Sequence, residues 1–115
     1  MLKKILAVAV IGIALNFGGT AEAYDHYVGT SNATGWECYV MTETVSRSND
    51  TTFVTLKMID RYNDKLQYTH YLDYRFWYDS RNDVMRFSND QGFSGIANKY
   101  ETPIEWEMLQ VIRKF

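Results

Sequence analysis

The sequence predicts a small α+β domain, an antiparallel β-meander of four to six strands packed against a C-terminal helix. Runs of β-type residues alternate with four Asn-Asp pairs, which are typical of tight turns because both side chains can bond to nearby backbone. The last thirteen residues change from a strand-like to a helical hydrophobic period. Aromatic residues make up 16% of the chain, which indicates a packed core rather than a disordered chain.

Residues 1–23 are interpreted as a secretory signal peptide, and residues 24–115 as one mature domain. Two lysines precede an apolar run from Ile5 to Phe17, and Ala21-Glu22-Ala23 offers small residues where signal peptidase cleaves. The run is shorter than the ~20 residues of a spanning helix, so an uncleaved membrane anchor is the less favoured alternative. We therefore expect a secreted, periplasmic or outer-envelope protein without a membrane span after cleavage.

The charge balance of the mature chain argues against nucleic acid as a partner. Without Lys3, Lys4 and Glu22, the 12 basic and 14 acidic residues become 10 and 13, a net charge of −3. A nucleic-acid-binding surface normally shows a basic excess. The single cysteine, Cys38, cannot form an internal disulfide. It alternates with Trp36 and Val40, which favours burial, and the alternative is an exposed thiol that pairs with another chain.

The predicted elements follow the turn signals. The predicted strands are, in order, residues 26–28, 36–41, 51–59, 66–78 and 84–87. In the final segment, Thr102 is placed to cap a helix, Pro103 to begin it and Glu105 to complete a capping box. The positions that share the apolar face of this helix are Ile104, Met108, Val111, Ile112 and Phe115. Arg113 and Lys114 are expected in its last turn.

The stretch YTHYLDYRFWY, residues 68–78, holds six aromatic rings and could be either a ligand platform or a core strand. Strand alternation splits residues 66–78 into two faces. The more apolar face, which we expect to meet the helix, carries Leu66, Tyr68, His70, Leu72, Tyr74, Phe76 and Tyr78. Tyr71 and Trp77 point the other way, with Asp73 and Arg75 between them, and only this second face could form a platform.

Two hairpins test that division. A hairpin through 60–64 that pairs Leu56 with Tyr68 keeps apolar residues opposite apolar ones. A hairpin through 79–83 that pairs Phe76 with Phe87 places Arg86 across from Trp77, within reach of a cation–π contact. A straight strand of this length would span ~44 Å, so we expect a bend or a bulge near Leu72–Asp73. If it is a bulge, the faces exchange beyond it and Trp77 turns inward.

The outer face yields the candidate binding residues. We predict an exposed aromatic–basic patch that contacts a partner, because one helix can bury only one face of the sheet. Its members are Phe53, Tyr71, Arg75, Trp77 and Arg86. The alternative is that these rings only pack against each other across the strands.

The sequence offers no catalytic or metal-binding constellation, so no catalytic residue, metal or cofactor is predicted. His26 and His70 are the only histidines, and we expect His70 to be a hydrogen-bonded core imidazole. The segment 92–95 lacks the full G-x-S-x-G spacing of a nucleophile elbow and is interpreted as a tight turn. The acidic loops 60–64 and 79–83 lack a calcium-ligand series, and turn formation explains them.

Three segments, YVGTS (27–31), GWECYVMTETV (35–45) and FSGIANKYETPIEWEMLQVIR (93–113), resemble a family of small, signal-bearing secreted bacterial proteins without an assigned function. That family is in turn distantly similar to the surface-adhesin protein E type domain. The resemblance implies an exported antiparallel sheet with a helix that binds proteins rather than catalysing, and it assigns no site residues. We thus expect a non-catalytic interaction module whose partner is another protein of the envelope or cell surface. The alternative is a small secreted enzyme or enzyme inhibitor.

Overall fold

The computed structural model describes residues 25–63 and 66–115, which form one antiparallel sheet and one C-terminal helix. The elements are β1 (Asp25–Thr30), β2 (Glu37–Ser48), β3 (Thr51–Asn63), β4 (Leu66–Asp79), β5 (Val84–Asn89), β6 (Ser94–Ile96) and α1 (Pro103–Ile112). The sheet order follows the chain order from β1 to β6, and the sheet curls into a half-barrel. The predicted antiparallel meander with a C-terminal helix is confirmed, whereas the predicted signal peptide lies outside the described residues.

Turns form where three of the four Asn-Asp pairs predicted them, after β2, β4 and β5. Asn49 and Asp83 adopt positive φ angles of 57° and 54°, a conformation that Asn and Asp tolerate better than most residues. At the third turn, the side-chain oxygen of Asn89 accepts hydrogen bonds from the backbone N–H groups of Gln91 and Phe93. The fourth pair, 63–64, extends outside the described residues.

The predicted register of the β3–β4 hairpin is wrong by four residues. Leu56 lies opposite Leu72 rather than Tyr68, because the strands continue to Asn63 and resume at Leu66. Residues 60–63 of the predicted loop 60–64 belong to β3 instead. A slip by an even number of residues leaves every side chain on its predicted face. The β4–β5 hairpin has the predicted register, with Phe76 opposite Phe87 and Trp77 opposite Arg86.

The sixth strand was not predicted. Gly92 does adopt the positive φ of 85° expected of a tight turn in segment 92–95. The residues directly after it, however, pair with β5, with Gly95 opposite Phe87. An ideal Cβ at Gly95 would lie 3.6 Å from the Phe87 ring, so this short strand packs closely over that side chain.

The core lies between the inner face of the sheet and α1. Its buried members are Val28, Cys38, Val40, Val54, Leu56, Tyr74, Phe76, Phe87, Ala97, Met108, Leu109, Val111 and Ile112. The predicted apolar face of the helix is confirmed for Met108, Val111 and Ile112, and Ile104 packs against the cluster from its edge. Phe115 is 57% exposed and follows the end of α1, so its predicted place on that face is wrong.

The ends of α1 are held differently from the prediction. Pro103 begins the helix, as expected, but Thr102 forms no side-chain cap. Its hydroxyl instead accepts a hydrogen bond from the backbone N–H of Asn98 and donates one to the carbonyl of Ile96. At the other end α1 stops at Ile112, before the basic residues expected in its last turn, and Arg47 of β2 donates to the Ile112 carbonyl at 2.9 Å. Because Thr102 forms no side-chain cap, the predicted capping box with Glu105 does not form.

Candidate interaction surface

Tyr71 and Trp77 share one face of β4, because the bulge expected near Leu72–Asp73 does not form. Pairing between β3 and β4 is continuous from Thr51 opposite Trp77 to Arg61 opposite Gln67. The face that carries both rings is opposite the core, and we call it the outer face. Tyr71 is 57% exposed, whereas Trp77 is half-buried.

Four of the five predicted site residues come together on neighbouring rows of the outer face. Phe53 lies directly opposite Arg75, and Trp77 lies opposite Arg86. Phe53 is 38% exposed. Tyr71 is four residues from Arg75 on the same strand, roughly 13 Å away at the usual rise of a strand. The structure therefore separates Tyr71 from the other four.

The two predicted arginines have different partners. Arg75 donates from Nε and Nη2 to the Ser88 hydroxyl oxygen at 3.0 Å and 2.8 Å, and its side chain is exposed. Arg86 donates from Nε to Oδ2 of Asp79 at 2.6 Å. Hydrogen bonds from Asn82 and then Arg86 hold the pKa of Asp79 at about 2. Arg86 thus lies across from Trp77 as predicted, but its guanidinium forms an ion pair with Asp79.

A cleft of about 490 Å³ opens on the outer face, and we call it the Phe53 cleft. The residues that line it include Thr44, Phe53, Thr55, Asp73 and Arg75, together with Asn89 from the inner face of β5 and Asp90 from the turn after β5. It combines one aromatic ring, two carboxylates, one guanidinium and several hydrogen-bonding groups. Such a mixture suits recognition of a polar or charged side chain with an apolar stem.

A wide bulge in β2 forms one wall of this cleft. Between the pairs Met41–Thr55 and Ser46–Phe53, the four residues 42–45 of β2 lie opposite the single residue Val54 of β3. The hydroxyl oxygen of Thr44 accepts a hydrogen bond from the Thr55 backbone N–H at 2.8 Å. That hydroxyl also donates to the Met41 carbonyl at 2.6 Å. Thr44 therefore replaces a missing backbone partner and fixes the bulged strand.

A second exposed feature, which sequence reasoning missed, runs across four strands of the outer face. Tyr27, Tyr39, Lys57 and Tyr71 lie opposite one another in one cross-strand row. The Tyr27 and Tyr39 rings meet edge to face with centroids 5.5 Å apart, and Lys57 lies 5.9 Å from the Tyr39 ring centroid. Tyr71 belongs to this row rather than to the cleft. Predicting this row from the sequence would have required the registers between all four strands, β1 to β4.

The buried polar groups belong to the core. Tyr74 donates its hydroxyl hydrogen to Oε2 of Glu105 at 2.6 Å. Burial raises the pKa of Glu105 and, with the Glu105 charge as a second cause, raises the pKa of Cys38 to about 11. Cys38 is 2% exposed, so the prediction of a buried thiol is confirmed and the alternative of an exposed thiol is wrong. These groups hold the helix to the sheet and lie away from the outer face.

His70 lies on the inner face at the open end of the sheet. Its ring stacks on Trp36 with centroids 4.2 Å apart and planes 4° apart. Its Nε2 atom is buried and has no hydrogen-bond partner within the described residues. The predicted placement of His70 on the apolar face is therefore right. The predicted hydrogen bond is wrong at Nε2, and the ring packs against Trp36 instead.

Residues 25–63 and 66–115 contain no group of three or more His, Cys, Asp and Glu side chains arranged to hold a metal ion. In that same part of the chain, no helix combines the length and apolar character needed to cross a membrane.

Fold and surface together define a small six-stranded antiparallel meander with a C-terminal helix and one exposed, partly aromatic sheet face. Comparison with models of protein families, with curated proteins and with solved structures found no match.

Proposed function

We propose that this domain is a non-catalytic protein-interaction module of the secreted or envelope compartment. Its contact surface is the outer face around the Phe53 cleft. The resemblance of the sequence to exported, adhesin-like domains motivates the class of function and the compartment. The partner is another protein at the cell surface or in the envelope.

One observation carries this proposal: the outer face keeps exposed rings and a cleft, although the helix covers only the inner face. Phe53 and Arg75 lie opposite each other beside the cleft, and both are exposed. Aromatic residues and arginine are the side chains that most often anchor protein contacts. A surface whose only role was to face water would not need to expose aromatic rings there.

The test is capture of partners from envelope and host-surface extracts by the immobilised domain. Phe53→Ser removes the ring at the cleft, and Tyr100→Ser removes a more exposed ring from the loop that precedes α1. We expect Phe53→Ser to reduce capture of a partner at least about fivefold, because central aromatic contacts each contribute ~1 kcal/mol or more. Tyr100→Ser should leave capture within about twofold of the parent. Equal losses for both variants would show that capture does not use the outer face.

Trp77 tests how far the surface extends along the β4–β5 hairpin. Because Trp77 lies opposite Arg86 on the outer face and is not part of the core cluster, we expect Trp77→Ala to weaken capture and to change the unfolding midpoint little. If Trp77→Ala unfolds the domain, the ring is part of the packing and the surface ends at the cleft. Circular dichroism during thermal unfolding measures the midpoint for every variant in the series.

A further inference from the structure

Two acidic residues that line the Phe53 cleft, Asp73 and Asp90, are joined by two hydrogen bonds. The backbone N–H of Asp90 donates to the Asp73 carbonyl at 3.1 Å. The backbone N–H of Asp73 donates to Oδ1 of Asp90 at 3.3 Å. Asp73 also accepts a hydrogen bond at Oδ1 from the Thr55 hydroxyl at 2.8 Å. These bonds fix both carboxylates at the same wall of the cleft.

Neither carboxylate has a cationic partner within the described part of the chain. Three other outer-face acids form ion pairs: Asp25 with Lys57, Glu37 with Arg61 and Asp79 with Arg86. The one cation that lines the cleft, Arg75, directs its guanidinium to the Ser88 hydroxyl. The cleft therefore carries a formal charge of −1, and both of its acids lack an ion pair.

We propose that the Phe53 cleft receives a lysine or arginine side chain from an extended basic segment of the partner protein. This inference rests on the proposed function, since it names the chemistry of the partner at that surface. A cationic head would lie between Asp73 and Asp90, and its methylene stem would pack on the Phe53 ring. The half-buried Thr55 side chain lines the same cleft, and its hydroxyl oxygen can accept a hydrogen bond from the backbone of the segment.

Charge complementarity selects this occupant over an acidic segment. An acidic side chain would meet two carboxylates and only one guanidinium, and like charges brought together oppose binding. A lysine or arginine head would instead neutralise the two acids that the fold itself leaves without a cation. Because the site is open to solvent, the attraction should weaken as salt is added.

Octapeptides that differ only in the charge of their side chains test whether the cleft receives a basic segment. An alternating Gly-Lys octapeptide is titrated into the isotopically labelled domain, and matched Gly-Gln and Gly-Glu octapeptides serve as controls. We expect the Gly-Lys peptide to shift the amide resonances of Thr55, Asp73 and Asp90, with shifts that shrink as salt is added. Comparable shifts with the Gly-Glu or Gly-Gln peptide, or with calcium chloride alone, would overturn the proposal.

A charge-matched pair of variants separates the cleft from general electrostatics. Asp73→Asn/Asp90→Asn keeps the oxygen acceptors for Thr55 and for the Asp73 N–H while removing both charges. Asp50→Asn/Glu101→Gln removes two exposed charges outside the cleft. We expect the first variant to weaken Gly-Lys binding at least about fivefold and the second to change it less than about twofold. Equal weakening would mean attraction by net charge alone and would overturn the proposal.

The outcome of this experiment is distinguishable from failure of the proposed function. If Phe53→Ser abolishes partner capture but the Gly-Lys peptide leaves the cleft resonances unmoved, the surface is right and the occupant is wrong. If Phe53→Ser leaves capture unchanged and the peptide still maps to the cleft, the cleft binds cations but does not recruit that partner. If both experiments fail, both proposals are wrong.

Discussion

Tyr74 and Glu105 join the centre of β4 to the first turn of α1 through a hydrogen bond of 2.6 Å. Both side chains are buried, and Tyr74 also packs among the rings of Phe76 and Phe87. Desolvation and then the neighbouring Glu105 raise the pKa of the Tyr74 hydroxyl. The Tyr74 hydroxyl therefore provides a strong hydrogen bond to the Glu105 carboxyl group inside the core.

Replacing Tyr74 by Phe removes that donor and should destabilise the domain by about 1–3 kcal/mol, the usual effect of leaving a buried polar group unpaired. The pH dependence follows from Glu105. Its pKa is raised by burial above the usual 4.5, so the folded state binds the proton more tightly than the unfolded state. The contribution of Glu105 to stability is then greatest at acidic pH and falls as pH rises from about 4.5 toward the raised pKa, above which it levels off.

Urea titrations across that range measure both effects. Since the Tyr74 hydrogen bond lowers the pKa of Glu105, Tyr74→Phe should raise it further and steepen the fall with pH. Glu105→Gln cannot ionise and should show a smaller fall than the parent. A Tyr74→Phe domain with the parent's pH profile would contradict this account of the pair.

The β2 bulge should depend on the hydroxyl of Thr44. Thr44→Val keeps the side-chain shape but leaves the Thr55 N–H without its acceptor, which should destabilise the domain by about 1–3 kcal/mol. Hydrogen exchange at the Thr55 amide should accelerate, because that amide loses its protection. Thr44→Ser keeps the oxygen and serves as the control. Unchanged exchange in Thr44→Val would mean that another group satisfies the Thr55 amide.

The meander and its faces were predictable because period-two alternation survives errors in register. The slip of four residues between Leu56 and its partner in β4 left Tyr74 and Phe76 inside and Arg75 outside. The β6 strand was missed because Ser94–Ile96 has only three residues and follows a glycine turn, which gives too few positions for a pattern.

The site was predictable only in part, because its shape depends on features that composition does not encode. Phe53 and Arg75 could be placed on the outer face by alternation alone. The cleft beside them, however, depends on the four-residue bulge of β2 and on the turn that brings Asp90 next to Asp73. The role of Glu105 could not be predicted for a similar reason. A capping box and an inward hydrogen bond to Tyr74 both require a glutamate at this position, so the sequence does not distinguish them.

Ile112 should be a structural residue of the helix. It is 2% exposed and lies in the core cluster with Leu56 and Phe76. Ile112→Ala should lower the free energy of unfolding by about 2–4 kcal/mol, as other large-to-small core substitutions do. Phe115→Ala, at an exposed position three residues later, should change it by less than about 0.5 kcal/mol. A loss below ~1 kcal/mol for Ile112→Ala in a denaturant titration would place that side chain outside the core.

We expect the protein to be exported and its mature chain to begin at Tyr24. The Ala21-Glu22-Ala23 segment follows the apolar run at the position where signal peptidase cleaves. Intact-mass analysis of material recovered from outside the cytoplasm measures the start of the chain. Ala23→Pro, which obstructs the cleavage position, is the matched variant and should leave the precursor uncleaved. A parent mass that retains residues 1–23 would contradict the signal-peptide interpretation.

Gly29 is required where α1 approaches β1 most closely. An added Cβ there would lie 2.7 Å from Cδ1 of Ile104, and the backbone φ of +139° is one that side-chain-bearing residues rarely adopt. Gly29→Ala should therefore destabilise the domain by roughly 1–3 kcal/mol, the usual range for an overpacked core position. Ile104→Val removes the obstructing Cδ1 atom, so the double variant should recover part of that loss, while the backbone strain at Gly29 remains. A double-mutant cycle in urea measures the recovery. Strictly additive losses would show that the helix does not press against β1 at this glycine.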